Sequence, residues 1–197
     1  MSYVIPTGEL SLASQVKMRV IAEEAGKQML YNRKIVTPPP VPSAQNPNPQ
    51  ETAEARDADY AVDFTPVATR VTTGWLSMPL AVAGNRYSVF ADITPAALTP
   101  QVPNNACWVF YGVTIIDTTQ AIDEMYFAVG NGPTPKANFD LEKLFSKMET
   151  DGFFSIPVVF VPQDIVTCTV KARLVTGVGF RVALKTLIVE PLQVTNA

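Results

Sequence analysis

The apolar residues recur with a period of two from about Tyr60 onward, and this pattern constrains the fold more than any other feature. In IVTCTVKARLV (165–175), alternate residues are apolar and the residues between them are polar or charged. The apolar set expected to face inward is Val166, Cys168, Val170, Ala172 and Leu174. Such alternation is typical of a strand with one face toward the core. We therefore expect a mainly β chain.

Three further segments predict strands with particular surroundings. CWVFYGVTII (107–116) is continuously apolar and rich in aromatic and β-branched residues, which indicates a central strand buried on both sides. FSIPVVFV (154–161) contains Pro157, which predicts an edge position or a bulge. GFRVALKTLIVEP (179–191) predicts a strand with a bulge near Lys185.

These segments, separated by turn signals and interrupted once by a helical pattern, define the expected fold class. In FDLEKLFSKMETDG (139–152), apolar residues at helical spacing predict one short helix, capped by Asn138 or Asp140. This series of about seven to nine strands predicts an antiparallel β-sandwich of the jelly-roll type. An N-terminal helix and a proline-rich arm precede it.

The N-terminal segment 10–32 predicts an amphipathic helix that begins near Ser11 or Ser14. Two rows of apolar residues at i, i+4 spacing are expected to form one broad stripe. The residues predicted to form an interface on this stripe are Leu12, Val16, Val20, Ile21 and Met29. An isolated helix of this length is marginal in water, so we expect the stripe to dock on a protein surface.

A proline-rich strap, VTPPPVPSAQNPNPQ (36–50), follows the helix. Its central prolines are Pro38, Pro39, Pro40 and Pro42. Consecutive prolines favour polyproline II, so an extended strap would reach on the order of 40 Å. Disorder is the alternative interpretation of this strap. We expect an N-terminal arm at 1–36, the strap and an acidic lead-in at 37–58, and the β-sandwich domain at 59–197.

The N-terminal arm and the segment that follows the strap carry opposite charge. Residues 1–36 carry five basic and three acidic residues, whereas the stretch ETAEARDAD (51–59) is acidic. We expect the helix to be attracted to an acidic face, belonging either to its own chain or to a neighbour. The net charge of −3 and the absence of a basic cluster argue against nucleic acid as a partner.

Composition excludes several function classes. The 197 residues contain no histidine, which removes the usual general base and His-based metal sites, so we expect no enzyme, cofactor or metal. The apolar runs are too short to span a bilayer, and the start MSYVIPTGEL lacks the features of a signal peptide. Cys107 and Cys168 lie in apolar runs and are expected to be buried thiols, with one inter-sheet disulfide as the alternative.

A few side chains are candidates for a ligand surface. Trp75, Asp117, Asp123 and Glu124 are the residues we select, since aromatic rings stack on sugars and paired carboxylates do acid–base work. Calcium at Asp57, Asp59 and Asp63 is an alternative to a solvated acidic lead-in, although the glycine and distal glutamate of an EF-hand are missing.

The layout resembles virion structural proteins, namely the jelly-roll capsid, decoration and cement proteins of bacterial viruses. The stretches that carry the resemblance are VTPPPVPSAQNPNPQ, FFSIPVVFVPQDIVTCTVKAR and FRVALKTLIVEP. It implies a homo-oligomer, often a trimer, whose arm docks on a neighbouring subunit or on other capsid proteins, in a virion assembled from chains made in a host cytoplasm. A major capsid subunit, a carbohydrate- or receptor-binding module and a carboxylate hydrolase remain as alternatives.

Overall fold

A computed structural model describes residues 2–58, 77–78, 80–90, 100–117, 119–130, 135–176 and 180–192. The strands are β1 (Ser2–Pro6), β2 (Ala53–Asp57), β3 (Ser77–Met78), β4 (Arg86–Ser88), β5 (Cys107–Ile115), β6 (Ile122–Val129), β7 (Pro135–Asp140), β8 (Asp151–Phe160), β9 (Val166–Ala172) and β10 (Phe180–Pro191). The helices are α1 (Leu12–Asn32) and α2 (Glu142–Ser146), and a 3₁₀ turn covers Thr7–Glu9. The expectation of a mainly β chain is confirmed.

The strands form one continuous sheet in the order β2-β10-β5-β8-β1-β7-β6-β9-β4, with β3 paired to β10. Among the described strands, all pairs are antiparallel except β1 with β7. The short β1 connects two halves of the sheet, because its first residues pair with β7 and its last residues pair with β8.

The sheet curls so that its two halves face each other across an aromatic core. The ring centroids of Phe110 on β5 and Phe127 on β6 lie 5.3 Å apart, although these strands are not neighbours in the sheet. Phe127 also contacts Phe160 of β8 at 6.3 Å. Burial of these large rings supplies much of the driving force that closes the sheet.

Strand β5 has the surroundings that its continuous apolar sequence predicts. Trp108 and Phe110 belong to the main core between the two halves, whereas Cys107 and Val109 belong to a second core cluster on the opposite face. Helix α1 covers that opposite face. Because both faces of β5 are covered, apolar residues occupy both sets of alternating positions.

Both predicted irregularities are bulges. The register of β10 against β5 shifts between Lys185 and Thr186, as predicted. Strand β8 lies between β1 and β5, so Pro157 is not in an edge strand. Instead, the β5–β8 register is interrupted between the pairs Phe110–Val158 and Gly112–Phe153. A proline that donates no ladder hydrogen bond is accommodated there.

Some predicted boundaries are wrong. In β9, Val166, Cys168, Val170 and Ala172 are buried as predicted, but the strand ends there and Leu174 is 46% exposed. The inserted helix is only α2, because residues 138–140 continue β7. The N-cap residue of α2 is Leu141 and not Asp140, although Asp140 Oδ1 accepts a hydrogen bond from the Glu142 N–H at 2.7 Å just before the helix. Part of the alternation predicted from about Tyr60 onward falls on residues 59–76 and 91–99, which lie outside the described residues.

The segments predicted as arm and acidic lead-in both contribute strands to this sheet. Val4 of β1 is fully buried in the main core, and β2 pairs along β10 from Ala53 to Asp57. The turn after β1 is tied to β8, because Thr7 Oγ1 donates to Asp151 Oδ2 at 2.8 Å. In the part of the chain that the structure describes, neither helix has the length and apolar character needed to cross a membrane.

Candidate functional site

The inner face of α1 lies directly on the sheet. The helix begins after Ser11, whose side chain accepts a hydrogen bond from the Ser14 N–H at 3.2 Å. Ala22, Gly26 and Leu30 are buried on the inner face. A Cβ atom at Gly26 would lie 2.5 Å from Val189 Cγ2 and 2.9 Å from Val109 Cγ2. The missing side chain therefore allows the helix backbone to approach β5 and β10 closely.

Ion pairs fix the same helix to its own chain. Lys27 is only 7% exposed, and its Nζ lies 2.9 Å from Glu23 Oε1 and 3.3 Å from Glu51 Oε2. Burial alone would lower the pKa of Lys27, but hydrogen bonds to the two carboxylates outweigh it and raise the pKa above its usual value. Arg19 Nη2 lies 3.3 Å from Asp57 Oδ2. The acidic stretch that attracts the helix is thus its own.

The five residues predicted to form a helix interface all lie on the exposed part of α1. The exposed fractions are 76% for Leu12, 57% for Val16, 47% for Val20, 45% for Ile21 and 37% for Met29. Each of these side chains keeps more than a third of its surface exposed, and that part is available to a second surface.

The predicted single apolar stripe is wrong in geometry. Successive helical residues are separated by about 100° around the axis, so residues nine apart lie on opposite sides. The row of Leu12, Val16 and Val20 is offset by nine from the row of Ile21, Ala25 and Met29. The two rows therefore flank the inner face on opposite sides, and small residues between them make the contact with the sheet.

The proline-rich strap leaves the body and returns to it. Thr52 Oγ1 donates a hydrogen bond to the Thr37 carbonyl oxygen at 2.6 Å, so both ends of the strap meet at one place. Pro38, Pro40 and Pro42 are exposed and Pro39 is half-buried, and Val41 between them is 85% exposed. The extended reach predicted for this segment is not realised, because the chain closes a loop here.

A polar cleft contains two of the predicted ligand residues. Its volume is about 320 Å³, and it is lined by Asp123, Glu124, Asp140, Glu142 and Arg173. Strand β6 supplies the first two residues, and the end of β7 with the start of α2 supplies the next two. The structure thus brings Asp123 and Glu124 together at the β6–β7–α2 corner.

Basic residues hold the carboxylates of this cleft. Glu124 Oε2 lies 2.9 Å from Arg86 Nη2, and Glu124 Oε1 lies 3.5 Å from Lys171 Nζ. Asp123 Oδ1 lies 3.9 Å from Arg173 Nε. Carboxylates that pair with cations still offer oxygen acceptors to polar hydroxyl groups of a ligand.

The remaining ligand candidates are not part of the cleft. Asp117 instead accepts a hydrogen bond from the Arg181 backbone N–H, and its Oδ1 lies 3.3 Å from Arg181 Nη2. Trp75, Asp59 and Asp63 lie outside the described residues. Within the described ranges, no group of three or more cysteine or acidic side chains has the spacing of a metal site.

Both cysteines are free buried thiols, so the alternative of an inter-sheet disulfide does not hold in this structure. Burial raises the pKa of Cys107 to about 11, and burial raises the pKa of Cys168 as well. Protonated thiols are poor nucleophiles, so neither side chain is reactive near neutral pH.

The residues that position the helix were missed in the sequence. A glycine within a good helical pattern, such as Gly26, predicts a weaker helix, but it is also a signal of close backbone approach. The Glu23–Lys27 pair was visible at i, i+4 spacing, but the third partner Glu51 follows a strap whose path cannot be read from local sequence.

No protein-family profile, curated protein or solved structure matches this chain. The fold and the geometry of its surfaces are therefore the basis for assigning a function.

Proposed function

We propose that the protein is a non-enzymatic virion structural protein that stabilises a viral capsid as a decoration or cement subunit. The observation that carries this proposal is the exposed part of α1, where five apolar side chains lie in two rows on either side of an inner face that is already occupied. Exposed apolar groups on a rigid element mark a contact surface for another protein.

The attachment of α1 makes this surface suitable for assembly. The buried Gly26 contact and the Lys27 ion pairs hold the helix against the sheet, so little ordering entropy remains to be lost on binding. The helix therefore acts as a preformed contact element and not as a free arm. We interpret the two halves of the curled sheet as the layers of a jelly-roll-like sandwich, in keeping with the resemblance to capsid proteins.

The test uses charge placed on the outer side of the helix. Val20→Asp introduces a carboxylate into the exposed apolar row, whereas the control Asn105→Asp adds the same charge at an exposed polar position outside α1. The proposal predicts that the wild-type chain co-sediments with virions of the virus that encodes it. We expect Val20→Asp to weaken this co-sedimentation and Asn105→Asp to preserve most of it.

Two results would contradict the proposal. One is the absence of the chain from purified virions in peptide mass spectrometry. The other is equal binding of shells by wild type and Val20→Asp, which would remove the outer side of α1 from the contact. Deleting residues 1–50 is not a suitable test, because the deletion removes β1 from the interior of the sheet.

The polar cleft favours a second candidate, a carbohydrate- or receptor-binding module. Carboxylates of Asp123 and Glu124 beside the Arg173 guanidinium offer acceptors and donors for sugar hydroxyl groups. A glycan array, run with and without calcium, tests this candidate. We expect any binding to be lost in Asp123→Asn, and an array without binding in either condition argues against it.

A further inference from the structure

We propose that the outer face of α1 docks on the same face of a second copy of this chain, with the two helices antiparallel across a twofold axis between Val20 and Ile21. This inference deepens the proposed assembly function and rests on the same surface. It identifies the neighbour as an identical chain and gives the direction in which the neighbour lies.

Two charged side chains on the outer face make no ion pair within the described part of the chain. Lys17 and Glu24 are both exposed and lie seven residues apart, on the same side of the helix. Among the described residues, neither side chain takes part in an ion pair, whereas Arg19, Glu23 and Lys27 all do. The charges nearer the sheet are thus used within the chain, and this outer pair is left over.

The positions of these charges are self-complementary. The midpoint between Lys17 and Glu24 is also the midpoint between Val20 and Ile21. An antiparallel copy centred there places each Lys17 opposite Glu24 of the other copy, so two ion pairs form. A parallel copy in register would place like charges opposite each other. The charge pattern therefore favours the antiparallel, isologous arrangement.

Apolar contacts occupy the centre of the same arrangement. Val20 and Ile21 lie on the two sides of the outer face, each next to the twofold axis, and both are nearly half exposed in one chain. The axis brings Val20 against Val20 and Ile21 against Ile21. A helix of 21 residues is about 32 Å long, so this face alone gives a small interface. We expect a weak dimer contact that other contacts of an assembly reinforce.

A charge exchange tests the pairing. Lys17→Glu and Glu24→Lys each replace two attractive pairs by two repulsive pairs, and we expect each variant to self-associate at least about tenfold more weakly than wild type. When the two variants are mixed, complementary charges face each other again and a heterodimer should form. Sedimentation equilibrium at low salt measures both effects, with Lys34→Glu, at another exposed lysine, as the control.

A cross-linking experiment tests the helix direction. With a short bismaleimide, Val20→Cys should link two copies because residue 20 lies beside the axis. Gln28→Cys should not, because antiparallel packing separates the two copies of residue 28 by about 22 Å along the helices. The native cysteines are buried and protonated, so they do not compete.

The outcomes separate this inference from the proposed function. Cross-linking at both positions would indicate a parallel pair and overturn the proposed geometry. A wild-type chain that stays monomeric, with no heterodimer from the mixed variants and no Val20→Cys link, would overturn self-docking. If that same wild-type chain still co-sediments with virions, the assembly function stands and the partner is a different capsid protein.

Discussion

The inner and outer faces of α1 use opposite kinds of residues for opposite purposes. Small side chains, Ala22 and Gly26, and one leucine, Leu30, are buried against the sheet. Larger ones on the outer face, such as Val20 and Ile21, keep nearly half of their surface exposed. The buried face is therefore the one with less apolar volume at its centre.

This difference shows that hydrophobicity alone does not decide which side of a helix is buried. Strand β5 and strand β10 present Val109 and Val189 toward the helix, and these branched side chains already fill the space between the layers. A helix with larger residues at that contact would be held away from the sheet. Fit against a neighbouring surface thus takes precedence over the apolar rows.

The largest expected effect comes from the same substitution made at a buried and at an exposed position of α1. Leu30→Ala removes a fully buried side chain and should lower the free energy of unfolding by about 2–5 kcal/mol. Leu12→Ala removes a side chain that is 76% exposed and should change it by less than about 0.5 kcal/mol. Urea denaturation measures both. Similar losses in the two variants would mean that Leu12 is as buried as Leu30.

A smaller effect is expected at the point of closest approach. Gly26→Ala gains helix propensity of about 1 kcal/mol but inserts a methyl group against Val189 and Val109, which costs about 1–3 kcal/mol. We expect a net destabilisation near 1 kcal/mol by thermal or urea unfolding. The control Gln28→Ala on the exposed face should be neutral or slightly stabilising. A stabilised Gly26→Ala variant would show that the helix is not seated on these valines.

The ion pairs of Lys27 predict a dependence on alkaline pH. The folded-state pKa is raised above the unfolded value of about 10.4, so the contribution is complete below that pH and is lost as the pH rises through the folded value. Lys27→Met should therefore be destabilised by about 1 kcal/mol at pH 7 and lose less stability above pH 10. Lys17→Met is the control, with no change at pH 7.

Part of the alkaline loss should remain in Lys27→Met. Burial raises the pKa values of Tyr111, Cys107 and Cys168, so all three groups ionise more readily in the unfolded chain. Folding is therefore disfavoured as the pH rises above their unfolded values, about 8.5 for the thiols and about 10 for the phenol. An unchanged alkaline slope in Lys27→Met, measured by unfolding between pH 8 and 11, would contradict the proposed role of the lysine.

The smallest effect on stability is expected on the outer face itself. Val20→Ser truncates a side chain that is 47% exposed and should change the unfolding free energy by less than about 0.5 kcal/mol in the monomer. Self-association, measured by light scattering at high protein concentration, should decrease. A stability loss as large as that of Leu30→Ala would place Val20 in the core instead.

The elements that follow local patterns were predictable from the sequence. Alternation identified β9, and a continuous apolar run identified β5. The local sequence of segment 179–191 likewise predicted the bulge at Lys185. The beginning of α1 followed from its serine cap. These features depend on residues that are close together in the chain, so local periodicity contains them.

Features that depend on distant pairing were not predictable. The short strands β1 and β2 lack a clear alternation, and each exists because a partner far along the chain accepts its hydrogen bonds. The pairing of Glu51 with Lys27 also depends on residues that are distant in the chain. So does the convergence of β6, β7 and α2 that forms the polar cleft. Exposure of the helix rows likewise depended on how the sheet surface was already filled.

The position of β1 has a consequence for the order in which the chain folds. Residues Ser2–Pro6 leave the ribosome before their partners on β7 and β8, which are residues 139–140 and 152–154. Until those residues are synthesised, β1 has no strand to pair with on either side. Helix α1 also lacks its contact with β10, which is synthesised later still. Such long-range closure slows folding and exposes strand edges to other nascent chains. A chaperone that shields the first strand during synthesis should therefore raise the soluble yield more than one acting on the finished chain.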